Sequence, residues 1–162
     1  MGMTGREGGT AARAYDEFVV AFDQHLWQSL VPAVGPERAR DAATDALVYA
    51  WRHWDRIAAM ENPEGYLYTA ALGYARRRPP PVSGFLPVPE PAELPRVEPG
   101  LVPALAELTE QQRTVVYLVE GCGWGLTDTA RLLDINISTV RNHLARGMAK
   151  LRASLEVQAD AR

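Results

Sequence analysis

The segment from residue 136 to residue 152 carries four cations and no carboxylate. The formal net charge of the whole chain is −3, so this segment locally reverses the sign of the molecule. Guanidinium and ammonium groups bind phosphate, and short polar side chains can reach base edges in a groove. The polar and cationic side chains of the segment are Ser138, Thr139, Arg141, Asn142, His143, Arg146, Lys150 and Arg152. The pattern indicates contact with nucleic acid, although helices with a purely structural role also carry basic, solvated faces.

Two helices joined by a short turn must position these side chains. Apolar and small residues recur at steps of three and four, first at Leu126, Thr129, Ala130 and Leu133 and then at Val140, Leu144, Met148 and Leu151. Asp134 lies between the two stripes, and Asp tolerates the left-handed backbone of a tight turn. Asn136 is a favoured N-cap for the second helix. A helix–turn–helix whose second helix begins with polar side chains fits the major groove of DNA.

The composition argues against several other classes of protein. No apolar run is long enough to span a membrane, and the first residues lack the apolar core of a signal peptide, so the sequence predicts a cytoplasmic protein without a membrane partner. The single cysteine, Cys122, has no Cys or His at metal-ligand spacing. His25, His53 and His143 fall on three different predicted helices, and no nucleophile–base pair is visible. We therefore expect no catalytic residue, no metal and no cofactor; the protein is not expected to be an enzyme.

The chain divides into two helical blocks. Between residues 79 and 103, nine of twenty-five residues are proline, which predicts a semi-extended linker. The predicted organisation is a disordered tail (1–12), a first block (13–78), the linker (79–103), a second block (104–157) and a short tail (158–162). The expected fold class is all-α, with a three-helix block and a four-helix block containing the helix–turn–helix. Because of the linker, the two blocks need not pack on each other.

Local signals place the remaining helices. Pro36 precedes a long helix predicted over residues 37–59, and Asn62 caps a third helix with Pro63 at its first position. Thr109 and Gln112 form a capping box at the start of an apolar helix in the second block. Four aromatic residues lie on the apolar stripes of the first block, and most of them are expected in its core: Trp51, Trp54, Tyr66 and Tyr74.

The order of these parts resembles the extracytoplasmic-function sigma factors, the smallest promoter-recognition subunits of bacterial RNA polymerase. In the second block the resemblance rests on LTEQQRTVVYLVEGCGWGLTDTARLLDINISTVRNHLARGMAKLRASL, residues 108–155. In the first block it rests on DAATDALVYAWRHWDRI, residues 41–57, and ENPEGYLYTAALGYARRR, residues 61–78. It implies that core RNA polymerase and promoter DNA are partners and that the free protein is a monomer. An anti-sigma factor stays open as a further partner.

The resemblance assigns three surfaces. The residues that would bind core polymerase are Asp41, Thr44, Asp45 and Leu47. The melted promoter element would meet the stretch between Trp51 and Tyr74, with phosphate contacts from Arg76, Arg77 and Arg78. The residues that would read the upstream promoter element in the major groove are Ser138, Thr139, Arg141, Asn142, His143, Arg146 and Lys150.

Several positions differ from the usual pattern of that family. Thr44 and Asp45 stand where a Gln–Glu pair is usual, and Gly73 lies within a helix that is usually longer and more basic. Gly125 replaces a Ser or Thr cap, and Asp134 replaces a turn glycine. These differences bear on contact with core polymerase and on promoter melting.

Two alternative functions remain open at this point. The overall acidity and the short basic helix also fit a sigma-like protein that binds an anti-sigma factor without starting transcription. The motif TVRNHL, residues 139–144, also fits an ordinary helix–turn–helix regulator. That interpretation predicts a dimer on paired half-sites and leaves the first block without a role.

Overall fold

The structure, a computed structural model, describes the backbone of residues 5–77 and 100–160 and the side chains of residues 9–77 and 100–157. Its helices are α1 (Gly5–Val34), α2 (Pro36–Arg52), α3 (Trp54–Ala58), α4 (Pro63–Arg77), α5 (Leu101–Ala106), α6 (Glu110–Val116), α7 (Leu126–Leu133) and α8 (Ile137–Asp160). A π-helical turn, Tyr117–Gly121, continues α6. The predicted all-α fold class is confirmed for these residues, and none of their helices is long and apolar enough to cross a bilayer.

Close packing of α1, α2 and α4 builds the first block. The buried face of α2 consists mostly of small residues, which allow its neighbours to approach closely: Ala39, Ala42, Ala43, Ala46 and Ala50. The larger side chains that fill this core from α1 and α4 are Phe22, Leu26, Leu30 and Leu67. The long helix predicted over residues 37–59 is interrupted, because the backbone of His53 leaves the helical region (φ −126°, ψ 24°). Helix α3 follows this break.

Helix α1 is longer than its apolar stripe predicts. It begins at Gly5 and continues past Pro32 to Val34. Residues 5–12, which were expected to belong to a disordered tail, are therefore helical. Three of these eight residues are glycine, which disfavours a helix, whereas Ala11 and Ala12 favour it and line a groove formed with Trp51 and Trp54.

Helices α5 to α8 form the second block. The predicted capping box is confirmed at the start of α6: Gln112 N–H donates to Thr109 Oγ1 and Thr109 N–H donates to Gln112 Oε1, both at 3.3 Å. Helix α8 crosses α6 at Gly147, where an added Cβ would lie 2.7 Å from Val116 Cγ2. Only glycine allows this approach, which holds the second helix of the helix–turn–helix against α6.

The two blocks pack on each other, although the linker made separate bodies possible. Phe22 of the first block shares a continuous core with Leu118 and Leu132 of the second block. Leu118 and Leu132 are almost completely buried, at 0% and 2% exposure. The second block thus has an additional apolar face, which α1 and α4 cover because burial of apolar surface is favourable. Of the predicted linker, residues 79–99 lie outside the described residues, and α5 begins at Leu101.

Arg113 joins the two blocks through three backbone carbonyl groups. Its guanidinium donates to Leu105 O and Leu108 O, each at 3.0 Å, and to Pro32 O at 3.2 Å. The first two acceptors belong to the second block, whereas Pro32 lies at the end of α1. The rigid fork of arginine can satisfy acceptors from three segments at once, which fixes the end of α1 against α6.

Candidate nucleic-acid interface

The turn between α7 and α8 has the geometry of a tight helix–turn–helix. Asp134 adopts the left-handed conformation, with φ 54° and ψ 45°, as its position in the sequence predicts. The N–H group of Ile135 donates to Ala130 O at 3.0 Å and closes the end of α7. Ala130 and Val140 are buried together with Val115 of α6, so the angle between α7 and α8 is set by a small apolar core.

Asn136 caps α8, as predicted. Its Oδ1 accepts the N–H group of Thr139 at 2.8 Å, and the hydroxyl groups of Ser138 and Thr139 donate to the same atom at 2.6 and 2.8 Å. Ser138 and Thr139 were predicted as DNA-contacting residues. In this structure their hydroxyl protons are directed to the cap, so both side chains stabilise the start of α8. The two hydroxyl oxygens can still accept a hydrogen bond from a donor group on DNA.

The cationic face of α8 is open to solvent. Asn142, Arg146 and Lys150 follow one another at four-residue steps, and Arg141 lies beside them; all four are exposed. His143 is half-buried. The opposite face of α8 carries Val140, Gly147 and Leu151, which are buried against the rest of the second block. The packing of the two blocks therefore leaves the predicted recognition helix accessible.

The arginines at the C-terminal end of α4 lie in different environments. Arg76 Nη2 lies 2.6 Å from Glu110 Oε1 of the second block. The guanidinium of Arg77 lies over the ring of Tyr74, with 5.3 Å between Cζ and the ring centroid, and its side chain is exposed. Arg78 lies outside the described residues. Of the two described cations predicted to contact phosphate, Arg77 is thus placed toward solvent and Arg76 is paired with a carboxylate.

Helix α2 presents a stripe that differs from the predicted one at one position. Asp41 and Thr44 are exposed and Asp45 is half-buried. Leu47, predicted as part of the same surface, is 8% exposed, so its side chain belongs to the core. Its carbonyl accepts the hydroxyl of Tyr15 from α1 at 2.7 Å, which shows that this side of α2 faces α1. The exposed apolar residue of the stripe is Val48, at 47% exposure.

Trp51 is the most exposed of the four aromatic residues, most of which were expected in the core. It is 51% exposed, whereas Trp54, Tyr66 and Tyr74 are half-buried. The ring of Trp51 lies 5.0 Å from that of Tyr15, which supports one face and leaves much of the indole open to solvent. Four residues of α2 in the first block form a stripe at helical spacing, which the sequence alone could have suggested: Asp41, Thr44, Val48 and Trp51.

A cluster of aromatic and cationic groups lies close to Trp51. The hydroxyl groups of Tyr49 and Tyr66 are 3.1 Å apart, and Arg56 Nη2 donates to Tyr49 at 2.5 Å. The hydrogen bond between the two phenols lowers the pKa of Tyr49 and raises the pKa of Tyr66. The ring of His53 lies 4.4 Å from that of Tyr49. Sequence reasoning missed this cluster, because its members come from α2, α3 and α4.

No group of three or more His, Cys, Asp or Glu side chains in the described ranges is placed to hold a metal ion.

Comparison with known proteins identifies the second block. Residues 101–151 match the family model for region 4 of sigma-70. Among solved structures, the fold resembles that of the sigma factor RpoE in its complex with the anti-sigma factor NepR from Bartonella quintana. The TM-score is 0.57 at 18% sequence identity, and the match covers 90% of this chain and 98% of that chain. No curated protein sequence matches the chain significantly. The resemblance to sigma factors is confirmed by the family of the second block and by the fold of the chain.

Proposed function

We propose that this protein is a promoter-specificity subunit of RNA polymerase of the extracytoplasmic-function type. Two findings support the proposal: residues 101–151 match the family model for region 4 of sigma-70, and the fold of the chain resembles that of a sigma factor. The observation that carries the proposal is the exposed cationic face of α8, held by a capped helix–turn–helix. Polymerase performs the chemistry, so the contribution of this chain is binding and positioning.

The second block contacts duplex DNA in this proposal. Asn142 and Arg141 lie close to the start of α8, where side chains of a recognition helix reach base edges. Arg146 and Lys150 lie one and two turns further along the same face and contact phosphate. Ser138 and Thr139 fix the start of the helix through Asn136. The element read by this helix is the upstream element of the promoter.

The first block binds core polymerase through the exposed stripe of α2. Asp41 and Thr44 supply polar and anionic contacts at the N-terminal half of the stripe, with Asp45 at its edge. Val48 supplies the apolar contact that the resemblance assigned to Leu47. A carboxylate pair next to an exposed apolar residue suits a partner surface that combines cations with an apolar centre.

The first block also holds the melted promoter element. Trp51 offers an exposed ring on which a base can stack, and Arg52 and Arg56 are exposed cations that line the same groove. The Tyr49–Tyr66 pair holds Arg56 in place. Arg77 extends the cationic surface for the phosphates of the strand, and Arg78, which lies outside the described residues, stays a phosphate contact predicted from the sequence.

Reconstitution tests the proposal directly. The purified chain is mixed with core RNA polymerase, and complex formation is measured by size-exclusion chromatography. Transcription from a library of promoter sequences is then measured against polymerase alone. We expect a stoichiometric complex and transcripts that depend on the added chain. Absence of both the complex and the transcripts would reject the proposal.

An anti-sigma factor is a further partner in this proposal. The supporting observation is that the two blocks are packed as one body, in a fold similar to that of a sigma factor bound to an anti-sigma factor. If the chain binds an anti-sigma protein but never binds polymerase, its function is to titrate that protein. Affinity capture with core polymerase and with candidate anti-sigma proteins in parallel separates these two functions.

A further inference from the structure

The basic end of α4 meets an acidic residue of the other block at the edge of the packed body. Arg76 Nη2 and Glu110 Oε1 are 2.6 Å apart, and the two side chains are 59% and 45% exposed. Glu110 is the first residue of α6 and follows the cap Thr109. The pair therefore joins the last turn of α4 to the first turn of α6 and is partly exposed to solvent.

The surroundings of this pair are less tightly packed than the rest of the contact between the blocks. A cleft of about 220 Å³ lies beside it, lined by Tyr68, Leu72, Gln111 and Ile135 among others. Phe22, Leu118 and Leu132, by contrast, form a continuous buried core. An exposed ion pair beside a cleft can exchange its partners while the buried contacts persist, because it is weak and screened by salt.

We propose that Glu110 occupies a phosphate-binding position on Arg76 and acts as an autoinhibitory contact. A carboxylate and a phosphodiester both accept hydrogen bonds from a guanidinium, so one can replace the other on Arg76. In the packed state the carboxylate of the second block fills this position. When a single strand of DNA reaches the first block, its phosphate displaces Glu110. This inference rests on the proposed function only in assigning DNA as the ligand.

Arg77 and Arg76 differ in how easily a phosphate can reach them. Arg77 follows Arg76 directly and lies over Tyr74, where its guanidinium faces solvent. A strand that meets the end of α4 therefore finds Arg77 accessible at once, and gains Arg76 only by competing with Glu110. Competition from Glu110 thus lowers the affinity of the packed body for single strands.

A charge-neutral substitution of Glu110 tests the inference in the full chain. Glu110→Gln keeps the size of the side chain and leaves the Thr109–Gln112 capping box in place. Glu120→Gln, in the π-helical turn, is the matched control, since it removes the same charge from an exposed side chain of the same block. Binding of a fluorescent oligo-dT of about twenty nucleotides is measured by anisotropy over a range of salt concentrations.

The expected result is a gain confined to Glu110→Gln. We expect its affinity to rise about two- to fivefold over that of Glu120→Gln, as for release of one exposed ion pair. The slope of log affinity against log salt should change by less than about 0.7, the value for a whole phosphate contact on a single strand, because Arg76 contacts the phosphate in the bound state of both chains. In the Arg76→Gln background the substitution of Glu110 should give no gain. Equal affinities of the two single variants, or a gain that persists without Arg76, would overturn the inference.

A second measurement uses the wild-type chain, in case a variant does not fold. The carboxyl carbon of Glu110 is followed by NMR in protein with labelled glutamate while oligo-dT is added. We expect its resonance to move as Arg76 leaves; binding without any change in that resonance would contradict the inference. Promoter-dependent transcription is scored separately, so a chain that shows the exchange but gives no transcripts refutes the proposed function alone.

Discussion

Asn62 Nδ2 donates to Arg131 O at 2.7 Å and thereby joins the start of α4 to the end of α7. The Oδ1 atom of the same side chain accepts the N–H group of Gly65 at 3.0 Å, which caps α4. One amide thus stabilises a helix of the first block and binds the helix–turn–helix of the second. The first helix of the helix–turn–helix, which is proposed to read DNA, is therefore held by the part of the chain that is proposed to contact polymerase.

Two substitutions of Asn62 separate its roles. Asn62→Ala removes both hydrogen bonds, and we expect it to lower the free energy of unfolding by about 1–2 kcal/mol. Asn62→Ser keeps an oxygen for the cap but is too short to reach Arg131 O, so we expect about half that loss. Urea unfolding followed by circular dichroism measures both. Equal losses in the two variants would mean that the cap contributes nothing, and a wild-type stability of Asn62→Ser would mean that the bond to Arg131 contributes nothing.

Two glycines of α4 should respond in opposite directions to substitution by alanine. A Cβ at Gly65 would lie 2.4 Å from Asn62 Nδ2 and 3.2 Å from Arg131 O, whereas a Cβ at Gly73 would meet only Arg77, at 3.5 Å. Alanine in a helix interior normally gains about 1 kcal/mol over glycine. We expect that gain for Gly73→Ala and a net loss of about 1–3 kcal/mol for Gly65→Ala. The melting temperatures of the two variants should move apart; if both rise, α4 and α7 do not approach as closely as the structure shows.

The local features that the sequence predicts correctly are formed by residues close together in the chain. The capping box of Thr109 and Gln112, the left-handed turn at Asp134 and the cap at Asn136 each involve residues within a few positions, and all three are found in the structure. Such short-range hydrogen bonds and turns depend little on the tertiary structure of the rest of the chain. The all-α class and the cationic face of α8 follow from periodicity in the same way.

Contacts between distant residues could not be predicted from periodicity. A repeat at steps of three and four shows that a helix has an apolar face, but not which of two adjacent positions faces the core. Leu47, which the resemblance assigned to the polymerase-binding surface, is buried, whereas Val48 and Trp51 of the same helix are exposed. The packing of the two blocks depends on Leu118 and Leu132, whose burial partners lie about a hundred residues earlier in the chain. The proline content of the linker contains no information about that contact.

Substitution of Val48 tests the polymerase-binding stripe of α2. Val48→Arg places a charge in a surface proposed to bury an apolar side chain, and we expect affinity for core polymerase to fall at least tenfold. Val20→Arg is the matched control, because Val20 is 87% exposed on α1 of the same block. Both variants should melt close to the wild-type temperature. Equal affinities of the two variants for polymerase would place the contact elsewhere.

Two arginines of α8 should affect DNA binding in different ways. Arg141→Ala should lower promoter affinity of the reconstituted polymerase by about 1–3 kcal/mol and relax sequence preference, since Arg141 lies near base edges in the proposed complex. Arg146→Ala should weaken binding to all sequences and reduce the salt slope by about 1. Arg13→Ala, exposed on α1, controls for loss of charge. If binding by both α8 variants equals that of the control, α8 is not the recognition helix.

Tyr68 should make the packed body sensitive to alkaline pH. Burial raises its pKa to about 12; the carboxylate of Glu110 acts in the same direction, while the guanidinium of Arg76 opposes it. The unfolded chain ionises this phenol near pH 10, so the folded state binds the extra proton between about pH 10 and 12. Stability is therefore unaffected by Tyr68 below pH 10 and falls by about 2–3 kcal/mol as the pH rises through this window.

The measurement is the urea midpoint between pH 8 and pH 11.5 for wild type, Tyr68→Phe and Tyr74→Phe. Tyr68→Phe has no phenol to ionise, so its alkaline decline should be shallower than that of wild type. Part of the decline should persist, because burial also raises the pKa of Tyr15 and of Tyr117. Tyr74 is half-buried on the same helix, and Tyr74→Phe should keep the wild-type decline. If the three curves run parallel above pH 10, the Tyr68 hydroxyl ionises as readily in the folded state as in the unfolded chain, and the contact between α4 and α6 is open to water.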